Sequence, residues 1–164
     1  MVPELVACFD RSLIFIQELV ADLTDEEMVL QPPGVPNHGA WTLCHIIFSC
    51  QQIARELGVE PWLPDDWESQ FGYGSSPSPL ASRYSAKSGV LAALEDAGQR
   101  LRAALLGIDE STLARPLPDE KAREILPTMA HALLQVVAAH TAFHAGQLAA
   151  WRRAIGRRPI GVFI

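Results

Sequence analysis

The stretch that most constrains this chain is its last long one, Thr128 to Gly156, which reads as one helix with histidines where aliphatic residues belong. It starts after Pro127, with Thr128 as a natural N-cap, and Gly156 supplies the easy positive φ that ends a helix. Leu133, Val137, His140, His144, Leu148, Trp151 and Ile155 follow one another at steps of three and four, forming a single apolar seam. Such a seam is stable only when buried against other helices, so the rest of the chain has to supply them. His140 and His144, four residues apart, leave the seam in the same direction, a spacing at which two imidazoles can share one metal ion. The pair alone also reads as two core histidines bonded to each other or to backbone, because imidazoles buried without partners cost free energy.

The rest of the chain carries three more long helical patterns. The first runs from about Pro3 to Asp22, with Leu5, Cys8, Ser12, Phe15 and Leu19 as its inward stripe. Thr24 and Glu27 have the spacing of a capping box for a short helix, stopped by Pro32 and Pro33. The second runs from Ala40 to Leu57, with Gly58 as its stop, and its wide apolar face includes Leu43, Ile46, Ile47, Cys50 and Ile53. Ser85 is placed to cap the third, Ala86 to Leu106, with Val90, Leu91, Leu94, Leu101 and Leu105 inward. Asp109 to Leu113 predicts one more turn, and residues 115–127 a loop. No strand pattern or internal repeat interrupts this order. The expected fold is all-α: one domain, 1–164, a four-helix bundle. The connection at 59–84 is rich in Pro and Gly but also holds Trp62, Trp67, Phe71 and Tyr73, so it predicts either a functional cover across one end of the bundle or a crossover stapled by its aromatics.

Charge then narrows the function. A formal net charge of −6 argues against nucleic acid, which needs clustered Lys and Arg. The local cluster Arg152, Arg153, Arg157 and Arg158 is read first as cations complementing a helix C-terminus. The N-terminus carries no signal-peptide pattern, and no apolar run approaches the roughly 20 residues of a membrane span. Cys8, Cys44 and Cys50 lack disulfide or metal spacing and read as reduced thiols, which predicts a cytoplasmic protein.

A metal on His140 and His144 needs a third ligand from a facing helix. His45, early in the second helix between Trp41 at i−4 and Phe48 at i+3, is the candidate, although the segment alone equally suits a boundary histidine bonded to a carbonyl. Three neutral nitrogens would leave an ion its full charge and an open position, as in catalytic sites. His131, nine residues before His140, turns away at about 100° per residue; His38, in a turn, is a reserve ligand. Thr141 follows His140 where a zinc protease has Glu, which rules that motif out. Gln147 is placed to orient a ligand or substrate, and Asp65, Asp66 and Glu68 are candidate general bases.

The segments Asn37-His-Gly-Ala-Trp-Thr-Leu-Cys-His45 and His140-Thr-Ala-Phe-His144-Ala-Gly-Gln147, continuing through Trp151-Arg-Arg153 to Gly156, resemble the two signatures of the DinB-like (YfiT-type) family. The resemblance implies an up-up-down-down-type bundle, a divalent metal on His45, His140 and His144, and frequent homodimers. It also implies activities that range from thiol-dependent transfer to hydrolysis of small molecules. The expectation is therefore a metal-dependent hydrolase or S-transferase using Zn, Ni or Fe, with a low-molecular-weight thiol as a possible second cofactor that the arginines would hold. The alternative is a non-catalytic, metal-binding or structural dimeric bundle. Catalytic residues beyond the metal ligands are left unassigned by the sequence.

Overall fold

Hydrophobic periodicity alone would leave the helices free to pack in several orders; side-chain contacts at their ends select one. The computed structural model describes residues 1–161, so the last three residues of the expected domain lie outside the described part. The long helices are α1 (Val2–Val20), α2 (Gly39–Glu56), α4 (Lys87–Leu106) and a terminal helix. The terminal helix is continuous from α7 (Met129–Leu133) through a π-helical segment (Leu134–His140) into α8 (Thr141–Ala154). Short helices α3 (Trp67–Phe71), α5 (Glu110–Ala114) and α6 (Glu120–Ile125) lie in the connections, with 3-10 turns at Glu27–Val29 and Ala81–Arg83. No strand occurs among the described residues; Pro116 and Thr128 form an isolated bridge. None of the described helices is long and apolar enough to cross a membrane.

The four-helix bundle is the fold the patterning predicts. α1 and α2 each pack against both α4 and the terminal helix, which puts α1 and α2 at opposite corners. Its direction differs from the up-up-down-down expectation. The Lys87 ammonium, at the start of α4, donates to the carbonyls of Val20, Ala21 and Leu23 at the end of α1. Arg152, at the end of the terminal helix, donates to the Leu19 carbonyl (2.9 Å) and pairs with Asp22. Gly39, at the start of α2, lies so close to Trp151 that a Cβ there would come within 2.6 Å of the indole. One end of the bundle thus collects two helix C-termini and two N-termini, and the helices run up, down, down, up. Sequence periodicity carries no such information, because a helix buries the same seam in either direction.

Several local expectations are met by hydrogen bonds. Thr24 and Glu27 form the reciprocal capping box, N–H to side chain in both directions (2.9 and 3.3 Å). Gly58 and Gly156 end their helices at φ of +87° and +82°. Others shift. Ser85 does not cap α4; the Asp25 carboxylate accepts the Lys87 N–H at 2.8 Å instead, from a distant part of the chain. Cys8 is exposed, because α4 and the terminal helix flank α1 and its buried face centres on Phe9, Ser12, Leu13 and Ile16. α6 arises inside the expected 115–127 loop, capped by the Asp119 carboxylate on Ala122 N–H (2.8 Å). A helix this short has too little periodicity to be read from pattern.

Candidate metal centre

α2 and the terminal helix run antiparallel, and their facing sides bring His45, His140 and His144 together. Each offers a ring nitrogen, all within 4.8 Å of one another. The Nε2 atom of His140 lies 3.1 Å from that of His45 and 3.0 Å from that of His144. His45 and His140 are half-buried and His144 is buried at 4% exposure. Burial, followed by the neighbouring imidazoles, pushes His140 down to about 4 and His144 down to about 3; burial alone lowers His45. At neutral pH all three rings are uncharged and each can present a lone pair.

Backbone geometry settles the tautomer of one of them. His45 Nδ1 lies 2.6 Å from the Phe71 carbonyl oxygen, which can only accept, so the proton sits on Nδ1 and the Nε2 lone pair faces the cluster. Trp41 stacks on a face of that ring, centroids 4.9 Å apart and planes 7° from parallel. The Trp41 indole N–H in turn donates to the Gln70 carbonyl (3.1 Å), one residue before Phe71. The 59–84 connection therefore does its visible work by fixing the orientation of His45. Gln51 pins the start of that connection by accepting the Trp62 and Leu63 N–H groups, each at 2.7 Å.

His140 and His144 are less completely partnered. Their Nδ1 atoms are buried without hydrogen-bond partners, as is Gln147 Oε1, one turn beyond His144. Gln147 favours the charged form of His144, against the effect of burial. If His140 Nε2 carried a proton, it could satisfy only one of its two nitrogen neighbours and would leave its own Nδ1 a buried, empty acceptor. With the protons of both His140 and His144 on Nδ1, three lone pairs converge on one point and repel unless a cation sits between them. An ion bound tetrahedrally at 2.0–2.1 Å would hold its nitrogens about 3.3 Å apart, close to the 3.1 and 3.0 Å that separate His140 Nε2 from its two neighbours. The donor set, burial and convergence fit a divalent ion with an open side.

The π-helical segment ends on His140 itself. Just past it the Thr141 hydroxyl donates to the Val136 carbonyl (3.2 Å), five residues back. Such turns are locally unfavourable and tend to persist where they serve a site. Here the segment sets the approach of His140 between its two neighbours. Nothing in residue pattern marks it, since Leu134 to Ala139 are ordinary helix formers.

The other candidates fall elsewhere. His131 is exposed and bonds Thr128 Oγ1 (2.8 Å), as its helical position predicts. His38 is fully buried but far from spare: Nδ1 accepts the Trp41 N–H at the start of α2, and Nε2 lies 2.8 Å from the Ser78 carbonyl. Asp65, Asp66 and Glu68 are exposed around the start of α3, Asp66 holding Gln70 (2.6 Å), and none lines the cavity at the histidines. Two of the four arginines are committed, Arg152 to Asp22 and Arg157 to Glu27. Cys44 and Cys50 are buried free thiols pushed up to about 12 by burial, which makes them inert.

Comparison with known proteins places this architecture. No functionally curated protein matches the sequence. The structure is similar to the crystal structure of a conserved protein from Enterococcus faecalis, with a TM-score of 0.78 over 94% of this chain and 96% of that one, at 19% identity. At that identity the likeness speaks for the fold. The sequence profile of the DinB superfamily matches residues 11–148, which reach into every long helix and include all three clustered histidines. The chain belongs to the DinB superfamily.

Proposed function

We propose that this protein is a cytoplasmic, divalent-metal-dependent enzyme acting on a small molecule, with His45, His140 and His144 as the metal ligands. The observation that carries the reading is the convergence of three uncharged imidazoles, one of them locked by the Phe71 carbonyl with its lone pair inward. A divalent ion there supplies Lewis acidity, polarising a substrate atom and lowering the pKa of a water or thiol that reaches it. The protein's own contribution is positional. Phe71 and Trp41 fix one imidazole, the π-helical turn fixes the second, and Gln147 is placed to accept the Nδ1 proton of the third.

Ser49 and Gln52, which line the cavity next to His45, are neutral and are placed to hydrogen-bond and orient a substrate. Hydrolysis is the reading the surroundings favour over transfer from an anionic thiol. The arginine cluster proposed to hold such a thiol begins twelve residues beyond His140, about 18 Å along the helix, and on the side away from the cavity. The homodimer implied by the family resemblance is a separate proposal, read by sedimentation equilibrium. The functional test is turnover of small esters, amides and thiol acceptors by metal-loaded protein. Activity should disappear on chelation, return on re-addition of metal and be absent in His45→Ala. A fully metal-loaded protein inert toward every class would leave the non-catalytic, metal-binding bundle as the correct account.

A further inference from the structure

The cavity that reaches His45 and His140 has a volume of about 420 Å³ and is built as an elongated channel with unlike ends. Its floor is one face of α2, where His45, Phe48, Ser49, Gln52, Ile53 and Glu56 line up at steps of three, one, three, one and three. From His45 to Glu56 is eleven residues, about 16 Å of helix. Ala132 and Val136 of the terminal helix form one wall, and Leu117, Ala122 and Leu126 on and around α6 form the other. The walls are apolar, and among the described residues the formal charges lining the channel are two exposed carboxylates, Glu56 at the end of α2 away from His45 and Asp119 at the start of α6.

Among the described residues no lysine or arginine lines it. Two neighbouring guanidinium groups are engaged elsewhere: Arg115 donates to the Glu56 carbonyl, and Arg123 to the carbonyls of Leu117 and Pro118 and to the Glu120 carboxylate. Asp119 spends part of its charge capping α6, whereas the Glu56 carboxylate is exposed and has no partner among the described residues. An anionic ligand would meet two carboxylates, with no lining cation among the described residues to offset them. A cation on an apolar body would be attracted at the mouth and buried along its length.

We propose that this channel selects an elongated apolar molecule bearing a cationic group at the end remote from the histidines, with Glu56 and Asp119 as the charge-reading residues. The proposal rests on the reading of the histidine cluster as the reacting centre, since it names the substrate class that centre would meet. The molecule enters with its uncharged end toward His45 and His140, and its positive end stays at the mouth between α2 and α6. Chain length and charge together set specificity.

Isothermal titration of the full chain, metal-loaded and metal-free, with decyltrimethylammonium and decanesulfonate tests this with chain-matched probes whose heads coordinate metals poorly. The cation should bind at least about tenfold more tightly than the anion in both forms, the reach of two exposed carboxylates. The Glu56→Gln, Asp119→Asn double variant should reduce that ratio to about threefold or less; asparagine keeps the α6 cap, so the fold is preserved. Ala122→Trp, on the partly exposed wall, should abolish binding of both probes while the melting curve stays cooperative. Equal or tighter binding of the sulfonate, a ratio untouched by the double variant, or no binding of either probe overturns the proposal. Failure to take up metal with the cation preference intact would remove the metal reading and leave the channel's selectivity standing.

Discussion

Two histidines near the start of α2, the buried N-cap His38 and the half-buried His45, are in opposite states. At His38 both ring nitrogens are matched, one accepting the Trp41 N–H and the other donating to the Ser78 carbonyl, so the ring is a staple between α2 and the crossover. Seven residues on, His45 is matched on one nitrogen only, and its other nitrogen faces two more imidazoles whose Nδ1 atoms are unpartnered. Both positions use histidine. What separates a structural imidazole from a candidate ligand is the accounting of each nitrogen, which burial alone does not give.

The largest expected effect breaks the comparison directly. His140→Ala or His144→Ala should remove stoichiometric metal from untagged protein, while His38→Ala keeps about one ion per chain by elemental analysis; retained metal in His144→Ala would sink the site. Next comes chelation of the loaded wild type. If the ion is held at 100 to 1,000 times its dissociation constant, its loss withdraws about 3–4 kcal/mol and lowers Tm by on the order of 10 °C. An unchanged Tm would mean the ion is not bound to the folded state.

His38→Ala should cost about 2 kcal/mol by stranding the Trp41 N–H and the Ser78 carbonyl, a drop visible in the melting temperature with metal content intact. Gln147→Leu should weaken metal affinity about tenfold and leave the metal-free protein's stability nearly unchanged, as expected of an outer partner to His144. Equal affinities would show that Gln147 does not serve that ring.

The smallest effect lies at the polar end of the bundle. The Arg152 guanidinium, bonded to Asp22, lowers that carboxyl from 3.8 to about 2. A depressed carboxylate stabilises the fold fully above its unfolded value, so this contribution is present above about pH 4 and is lost as pH falls toward 2. Asp22 is 50% exposed, so screening holds the effect to about 1 kcal/mol. Asp22→Asn should flatten that part of the acid-unfolding curve and leave metal uptake alone; an unaltered curve would show the pair to be idle.

The sequence by itself determined the four amphipathic helices, the stops at Gly58 and Gly156, the Thr24–Glu27 capping box and the three histidines, because periodicity, glycine conformational freedom and i, i+4 geometry are local. It also separated His131 from the cluster, since nine residues along a helix fix an angle. Tertiary structure decided the rest. The run of the helices follows from contacts such as Lys87 with the end of α1, which no local pattern encodes. The cap of α4 comes from Asp25, far away in sequence, and not from neighbouring Ser85. The tautomer of His45 depends on a carbonyl twenty-six residues on. The π-helical turn and the wall made by α6 arise where packing overrides weak local preferences. These are all interactions between segments, and a chain read one segment at a time holds the donors and acceptors without saying which of them meet.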